Sequence, residues 1–278
     1  MELSPTGSLH AGTLRLLIFA EEVREHARVT YGISVEHVIR INDLAPEKQT
    51  SEPLSHGRKI AAHHVEERAS ANRLETLEEE LRMLYEATGW PLPSLIRVSE
   101  IYQQDLFRSL IRDCASRSDL IISILSNYKK SSVGLVYPIC TSCDRIQYGF
   151  PKYLDSSGAE WVCPDCSAPN TFSCSKSPKI LTFKVEQALA WQILGASVDL
   201  HGQDHIEAFN ASLEIATALE LKFLPSAARV NLVFDRIRKT KISKSLGSNY
   251  GQIDITIDDL EGLVCRLKKT PFHRPVYI

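Results

Sequence analysis

Four of the seven cysteines in this 278-residue chain stand as two turn-sized pairs, Cys140-x-x-Cys143 and Cys163-x-x-Cys166, with nineteen residues between them. Two such turns brought together present four thiolates to one cation, so the chain between them must fold back on itself. This is the pattern of a closed, four-coordinate structural zinc site, with no position left for a water nucleophile. It fits a metal site in a reducing compartment better than a disulfide framework. Cys114, Cys174 and Cys265 have no His or other base beside them in sequence and read as small packed thiols without chemistry.

Around the cysteines the sequence has a different rhythm. Branched, strand-like runs at Val35 to Ile41, Leu95 to Val98, Val198 to Leu200 and Val230 to Phe234 are separated by longer helical stretches. That alternation predicts an α/β fold, a parallel sheet covered by helices. The longest helix is expected within Arg58 to Thr88, with others over Leu14 to Arg24, Asp105 to Ser126 and Gln203 to Leu219. The division expected is 1–136 and 179–250 as two halves of a nucleotide-binding fold, 137–178 as a zinc-binding insertion, and 251–278 as the start of a C-terminal helical segment cut short. In such a sheet the ligand crevice lies beyond the carboxyl ends of the strands, so the loops leaving them should carry the chemistry.

The formal net charge of -2 excludes a protein whose binding rests on a global positive field. Contact with nucleic acid would be local. The sequence has no apolar run of membrane-spanning length and no basic segment leading into an apolar signal core, which points to the cytoplasm and away from the membrane.

Two loops are suited to a polyphosphate. In Ser4-Pro5-Thr6-Gly7-Ser8-Leu9-His10-Ala11-Gly12-Thr13, Gly7 and Gly12 permit close backbone approach and His10 offers an imidazole donor at a helix start. Far downstream, Lys241-Ile242-Ser243-Lys244-Ser245-Leu246-Gly247-Ser248 places two ammonium groups on a small-residue loop. Each alone is weak evidence, because His-x-Gly occurs by chance and a Lys/Ser loop is often a solvated turn.

Together the two segments resemble the His-Ile-Gly-His and Lys-Met-Ser-Lys-Ser signatures of class I aminoacyl-tRNA synthetases, and Gly202-Gln203-Asp204-His205 resembles the Gly-x-Asp-His element between them. Within the class the chain is most similar to class I lysyl-tRNA synthetases. Asn42-Asp43 follows the second strand, a cysteine-rich insertion occupies the middle, Trp191 stands eleven residues before Gly202, and His273-Arg274-Pro275 lies near the end. Thr13 replaces the last His of the first signature, and the second reads Lys-Ile-Ser-Lys-Ser-Leu-Gly. Only three residues precede Ser4, where the fold calls for a strand.

The resemblance implies a Rossmann-like, HUP-type doubly wound sheet without an anticodon-binding domain. It implies activation of an amino acid, lysine by this likeness, with ATP and Mg2+ to an aminoacyl adenylate, then transfer to the acceptor stem of a tRNA. Catalysis would fall to His10, Lys241 and Lys244. ATP would be held by Thr6, Gly7, His10, Gly12, Thr13, Gly202, Asp204, His205, Lys241, Ser243, Lys244 and Ser245, and the amino acid by Asn42, Asp43 and Trp191. Zinc would be structural, on Cys140, Cys143, Cys163 and Cys166. A freestanding, tRNA-independent ligase joining an amino acid to a small molecule or carrier is the alternative; a nucleotidylyltransferase and a zinc-knuckle RNA-binding module are readings from other classes.

Overall fold

The fold is seen in a computed structural model that describes residues 1–4, 9–45, 58–59, 73–128, 135–147, 159–172, 179–234 and 257–277. A short strand β1 (Glu2–Leu3) precedes helix α1 (Ala11–Tyr31). α1 starts where His10, in extended conformation, accepts hydrogen bonds from the amides of Gly12 and Thr13 on its side chain, and it stops at Gly32, whose φ of 65° is left-handed. A side-chain acceptor at the start and a glycine just past the end satisfy terminal backbone groups that would otherwise lack partners.

Next come β2 (Val38–Ile41), the two-residue β3 (Arg58–Lys59), α2 (Arg73–Thr88) and β4 (Ser94–Arg97). The helices α3 (Val98–Gln103), α4 (Asp105–Ser116) and α5 (Ser118–Ser126) lead to short strands β5 (Val136–Pro138), β6 (Arg145–Ile146), β7 (Ala159–Val162), β8 (Pro169–Phe172) and β9 (Lys179–Leu181). The last part runs α6 (Phe183–Leu194), β10 (Val198–Gly202), a 3-10 turn at Gln203–His205, α7 (Ile206–Ala218), β11 (Ser226–Val230), β12 (Val233–Phe234), α8 (Ile257–Lys269) and β13 (Val276–Tyr277).

The main pairings are parallel, as alternating strands and helices require. β1, β2 and β4 form one sheet in which Leu3 lies opposite Ile41 and Ile41 opposite Arg97. β10 pairs with β11, Gly202 opposite Val230, and β12 pairs with β13. Two cores cover these strands. Leu14, Leu17 and Ile18 of α1 pack with Ile39 and Ile41 of β2 and with Leu77, Leu81 and Tyr85 of α2. Each aliphatic side chain so buried contributes roughly 1.5–3 kcal/mol. The second core joins α3 to α7 and includes Cys140, Trp161 and Cys163 from the cysteine-rich segment.

Several expectations change. The helix expected within Arg58 to Thr88 is described over Arg73–Thr88 and is shorter than α1, and Arg58–Lys59 is a strand paired antiparallel with Arg145–Ile146. Charged, helix-compatible residues do not reveal a long-range strand partner. The run Val230 to Phe234 is two strands, broken at Asn231 and Leu232. Asp105 to Ser126 is two helices, parted at Arg117 with φ -112° and ψ 26°. The strand missing before the first motif is present in short form as Glu2–Leu3. Among the described residues, no helix is long and apolar enough to cross a membrane.

Candidate active site and cysteine cluster

The chain leaves β1 toward His10, and leaves β10 toward Asp204 and His205. Both loops line one cavity of about 420 Å³, with Ser4, His10, Gly12 and Thr13 from the first and Gly202, Asp204 and His205 from the second. The break between β11 and β12 adds Asn231 and Leu232. The crevice therefore lies beyond the carboxyl ends of parallel strands, where this architecture binds ligands. Thr6, Gly7, Lys241, Ser243, Lys244 and Ser245 lie outside the described residues.

His10 has a defined orientation. Its Nδ1 accepts from the amides of Gly12 at 3.0 Å and Thr13 at 3.2 Å, while Nε2 lies 3.4 Å from Thr13 Oγ1. An Nδ1 that accepts two backbone donors carries no proton, so the neutral ring holds its hydrogen on Nε2. The same bonds occupy two amides of the helix start that the sequence offers to an anion. A Cβ at position 202 would stand 2.6 Å from Asp204 Oδ1, so only a glycine there leaves that carboxylate in its present place. Asp204 Oδ2 is 3.9 Å from His205 Nε2, and the exposed His205 ring meets Phe183 edge-on at 6.2 Å.

The floor of the cavity includes Glu2, Arg40, Gln187, Asp199 and His201, which sequence reasoning missed. Arg40 donates to Glu2 Oε2 at 2.5 Å, and Asn42 Nδ2 donates to Glu2 Oε1 at 2.9 Å. The signal available was the alternation in Val198-Asp199-Leu200-His201, which sends Asp199 and His201 to one face of β10. Asp43 stands at the end of β2 but spends both carboxylate oxygens on Ser99, accepting from its amide at 2.9 Å and its hydroxyl at 2.5 Å. Trp191 is a core residue packed on Phe209 at 5.4 Å. The structure thus brings none of Asn42, Asp43 and Trp191 into the cavity lining.

Arg15, fully buried in α1, braces one wall. Its guanidinium donates to the carbonyls of Pro271 at 3.0 Å and Arg274 at 2.7 Å, and reaches those of Asn231 and Leu232 at 3.4 and 3.5 Å. Asn231 completes the tie by donating from Nδ2 to the His273 carbonyl at 3.0 Å. The His273-Arg274-Pro275 segment is therefore tied through its backbone to Arg15 and to Asn231, of which Asn231 lines the cavity.

Cys140, Cys143, Cys163 and Cys166 converge with all Sγ atoms within 4.8 Å of one another. Two of the separations are 3.6 Å, Cys140 to Cys166, and 3.8 Å, Cys143 to Cys163. A tetrahedral zinc ion holds thiolates about 3.8 Å apart, so the donor set and spacing fit that ion. The two turns repeat one geometry. The amide of Asp144 bonds the Cys140 carbonyl and that of Ser167 the Cys163 carbonyl, and both residues take left-handed φ, 53° and 59°.

Donors surround the sulfurs. The Ser142 amide lies 3.4 Å and Asn170 Nδ2 3.5 Å from Cys140 Sγ, and Gln147 Nε2 lies 3.7 Å from Cys163 Sγ. Burial opposes ionisation of Cys140, but the Ser142 and Cys143 amides, Asn170 and Cys166 outweigh it and bring the thiol down to about 6. Burial pushes Cys143 up to about 12.

The site defines an α/β protein with parallel strand pairings, a ligand crevice at the strand carboxyl ends and a four-cysteine cluster packed into its core. Residues 2–256 match the family described as tRNA synthetases class I (K), and the chain belongs to that family. It is similar to the lysine--tRNA ligase of Methanosarcina barkeri, 24% identical over 219 residues that cover 73% of this chain and 39% of that protein. It is also similar to that of Archaeoglobus fulgidus, 25% identical over 222 residues that cover 74% and 43%. The chain thus spans about two fifths of the length of these curated relatives. Among solved structures it is similar to a glutamate-tRNA synthetase from Elizabethkingia anophelis, with a TM-score of 0.44 and 12% identity over 90% of this chain and 53% of that one.

Proposed function

We propose that this chain carries the catalytic part of an AMP-forming ligase that activates lysine with ATP and passes it to the acceptor end of a tRNA. One observation carries the reading. Two loops almost two hundred residues apart, one bearing His10 and the other Asp204 and His205, line the same cavity beyond the ends of β1 and β10. Family membership and the two lysine--tRNA ligase relatives support lysine as the amino acid.

In this reading the lysine carboxylate attacks the α-phosphorus of ATP and pyrophosphate leaves. No protein nucleophile takes part; the protein aligns the reactants and stabilises charge on the phosphates. His10, held as the Nε2–H tautomer, donates to the phosphate chain. Lys241 and Lys244, with Ser243 and Ser245, close over it beside Mg2+, while Thr6, Gly7, Gly12 and Thr13 follow the nucleotide. Asp204 and His205 stand at the junction of nucleotide and aminoacyl group. Asn42 and Asp43 act behind the wall, through Glu2 and Ser99, and Trp191 acts through Phe209.

Residues 1–136 and 179–250 form the two halves of the catalytic fold. Zinc on the four cysteines shapes the 137–178 insertion, and 251–278 opens the C-terminal segment. When bound, zinc supplies structure and no reacting water.

The test is amino-acid-dependent exchange of pyrophosphate into ATP, across twenty amino acids, with and without tRNA. Lysine-dependent exchange that falls by a large factor in Lys244→Ala, at unchanged zinc content, is expected. An exchange rate indifferent to Lys244 would remove the assignment.

A further inference from the structure

β10 sets Asp199 and His201 on one buried face of the strand, both lining the floor of the cavity. His201 is 6% exposed and stacks on Phe209, with ring centroids 5.0 Å apart and planes 27° from parallel. Among the described residues neither of its ring nitrogens has a hydrogen-bond partner. An imidazole held this way forgoes its bonds to water, at roughly 1–3 kcal/mol for each unsatisfied group, unless a ligand replaces them. Its stacking on Phe209 would be served as well by phenylalanine, so packing gives no reason for a histidine.

The neighbouring carboxylate is fixed in place. Asp199 Oδ2 accepts from Gln187 Nε2 at 2.7 Å, and Gln187 Oε1 accepts from Ser212 Oγ at 3.0 Å, a chain of bonds running from α7 through α6 to β10. His201 Nδ1 lies 3.7 Å from that same Oδ2, too far for a hydrogen bond but within ion-pair range. Burial raises the Asp199 carboxyl, yet the ring N–H of His201 turned toward it, with the Met1 amine and Arg40, outweighs burial and holds the group below its ordinary value, so it is ionised at neutral pH. Of the other charges on the floor, Glu2 and Arg40 neutralise each other in their own ion pair.

We infer that Asp199 and His201 form the receptor for the side-chain ammonium of the amino-acid substrate. With its Nδ1 hydrogen turned toward Asp199, His201 offers the Nε2 lone pair to an ammonium N–H, and Asp199 supplies the countercharge. A compact ammonium with three donors suits one lone pair beside one carboxylate. The inference rests on the reading above that this cavity takes an amino acid, and it names the residues that select a basic one.

Calorimetric titration of the chain with L-lysine, with L-norleucine, which lacks the side-chain ammonium, and with 6-aminohexanoate, which lacks the α-ammonium, tests it. L-lysine and 6-aminohexanoate should bind, and L-norleucine at least about tenfold more weakly than L-lysine, since a hydrogen bond to a charged group is worth a factor of this size or more. His201→Phe, which keeps the ring stacked on Phe209, and Asp199→Asn should each weaken L-lysine by about tenfold or more on the same grounds and leave norleucine unchanged. Circular dichroism checks folding, and if His201→Phe does not fold, Asp199→Asn carries the comparison.

Equal binding of norleucine and lysine by the unaltered chain, no lysine binding, or lysine affinity unchanged in the folded variants overturns the inference. Pyrophosphate exchange separates the two readings. Exchange driven by an amino acid without a side-chain ammonium sinks this receptor and leaves the synthetase reading standing. Lysine binding that depends on His201, without exchange for any amino acid with tRNA present, sinks the synthetase reading alone.

Discussion

Arg15, in the first turns of α1, donates to the carbonyl of Arg274 at 2.7 Å, across 259 positions of sequence. One buried guanidinium thereby joins the first motif helix to the strand break at Asn231 and to the turn at Pro271–Arg274. Planar, five-donor geometry suits four carbonyls approaching from one side, which a point-charge ammonium could not serve equally.

Arg15→Leu should therefore destabilise the chain by about 3 kcal/mol or more, because it strands buried carbonyls that have lost a charged donor. Arg15→Lys should recover only part of that loss. Denaturant unfolding followed by circular dichroism measures both, and a midpoint unmoved in Arg15→Leu would show that the four contacts contribute little.

The cysteine cluster predicts one equivalent of zinc per chain by elemental analysis, lost in Cys163→Ser. Because Cys140 and Cys163 belong to the core shared with α3 to α7, metal loss should be felt beyond the two turns. Stripping with a chelator should lower stability by about 2 kcal/mol or more, roughly 5 °C in melting temperature for a chain this size. A chain that melts at the same temperature with and without the metal would leave the cluster without a structural role.

Gly202→Ala isolates the Asp204 contribution. The added methyl meets the Asp204 carboxylate rather than backbone, so the protein should fold normally while the carboxylate turns aside. A displacement of that size at a reacting centre costs about a hundredfold in rate. The measurement is pyrophosphate exchange alongside the melting temperature; loss of both together would make Gly202 a folding residue instead.

What the sequence disclosed and what it hid follow from range. β2, β4 and β10 are short runs of branched residues, and their local composition is enough to mark them. Arg58–Lys59 is a strand only because Arg145–Ile146 lies beside it, and no local preference announces a partner at that distance. The break at Asn231 has a local sign, a polar residue inside Val-Asn-Leu-Val, but the partners that meet it, Arg15, Phe272 and His273, are remote. In the site, His10, Asp204 and His205 stood out in the sequence as loop residues beside helix starts, and the structure sets them on one cavity. Glu2, Arg40, Gln187, Asp199 and His201 belong to no motif, and become neighbours only when β1, β2, α6 and β10 come together around the cavity. Eleven residues before a glycine fixes a spacing along the chain and not a direction, and on α6 Trp191 points into the core against Phe209.

A last prediction concerns Glu186, which is buried behind the cavity and accepts from the Tyr102 hydroxyl at 2.8 Å. Burial above all, then the nearby Glu2, raise its carboxyl from 4.5 to about 8 in the folded chain. The folded state keeps a proton that the unfolded state has released, so between about pH 4.5 and 8 stability falls as pH rises, by about 1.4 kcal/mol per pH unit from this group alone. Below that window both states are protonated and the group contributes no slope; above it both are ionised and the loss is complete. Glu186→Gln keeps the shape and the acceptor for Tyr102 but cannot ionise. It should match the unaltered chain near pH 4.5 and exceed it in stability at pH 8. Parallel pH–stability curves for the two proteins would mean that Glu186 is already ionised in the folded state at neutral pH, balanced by Arg40.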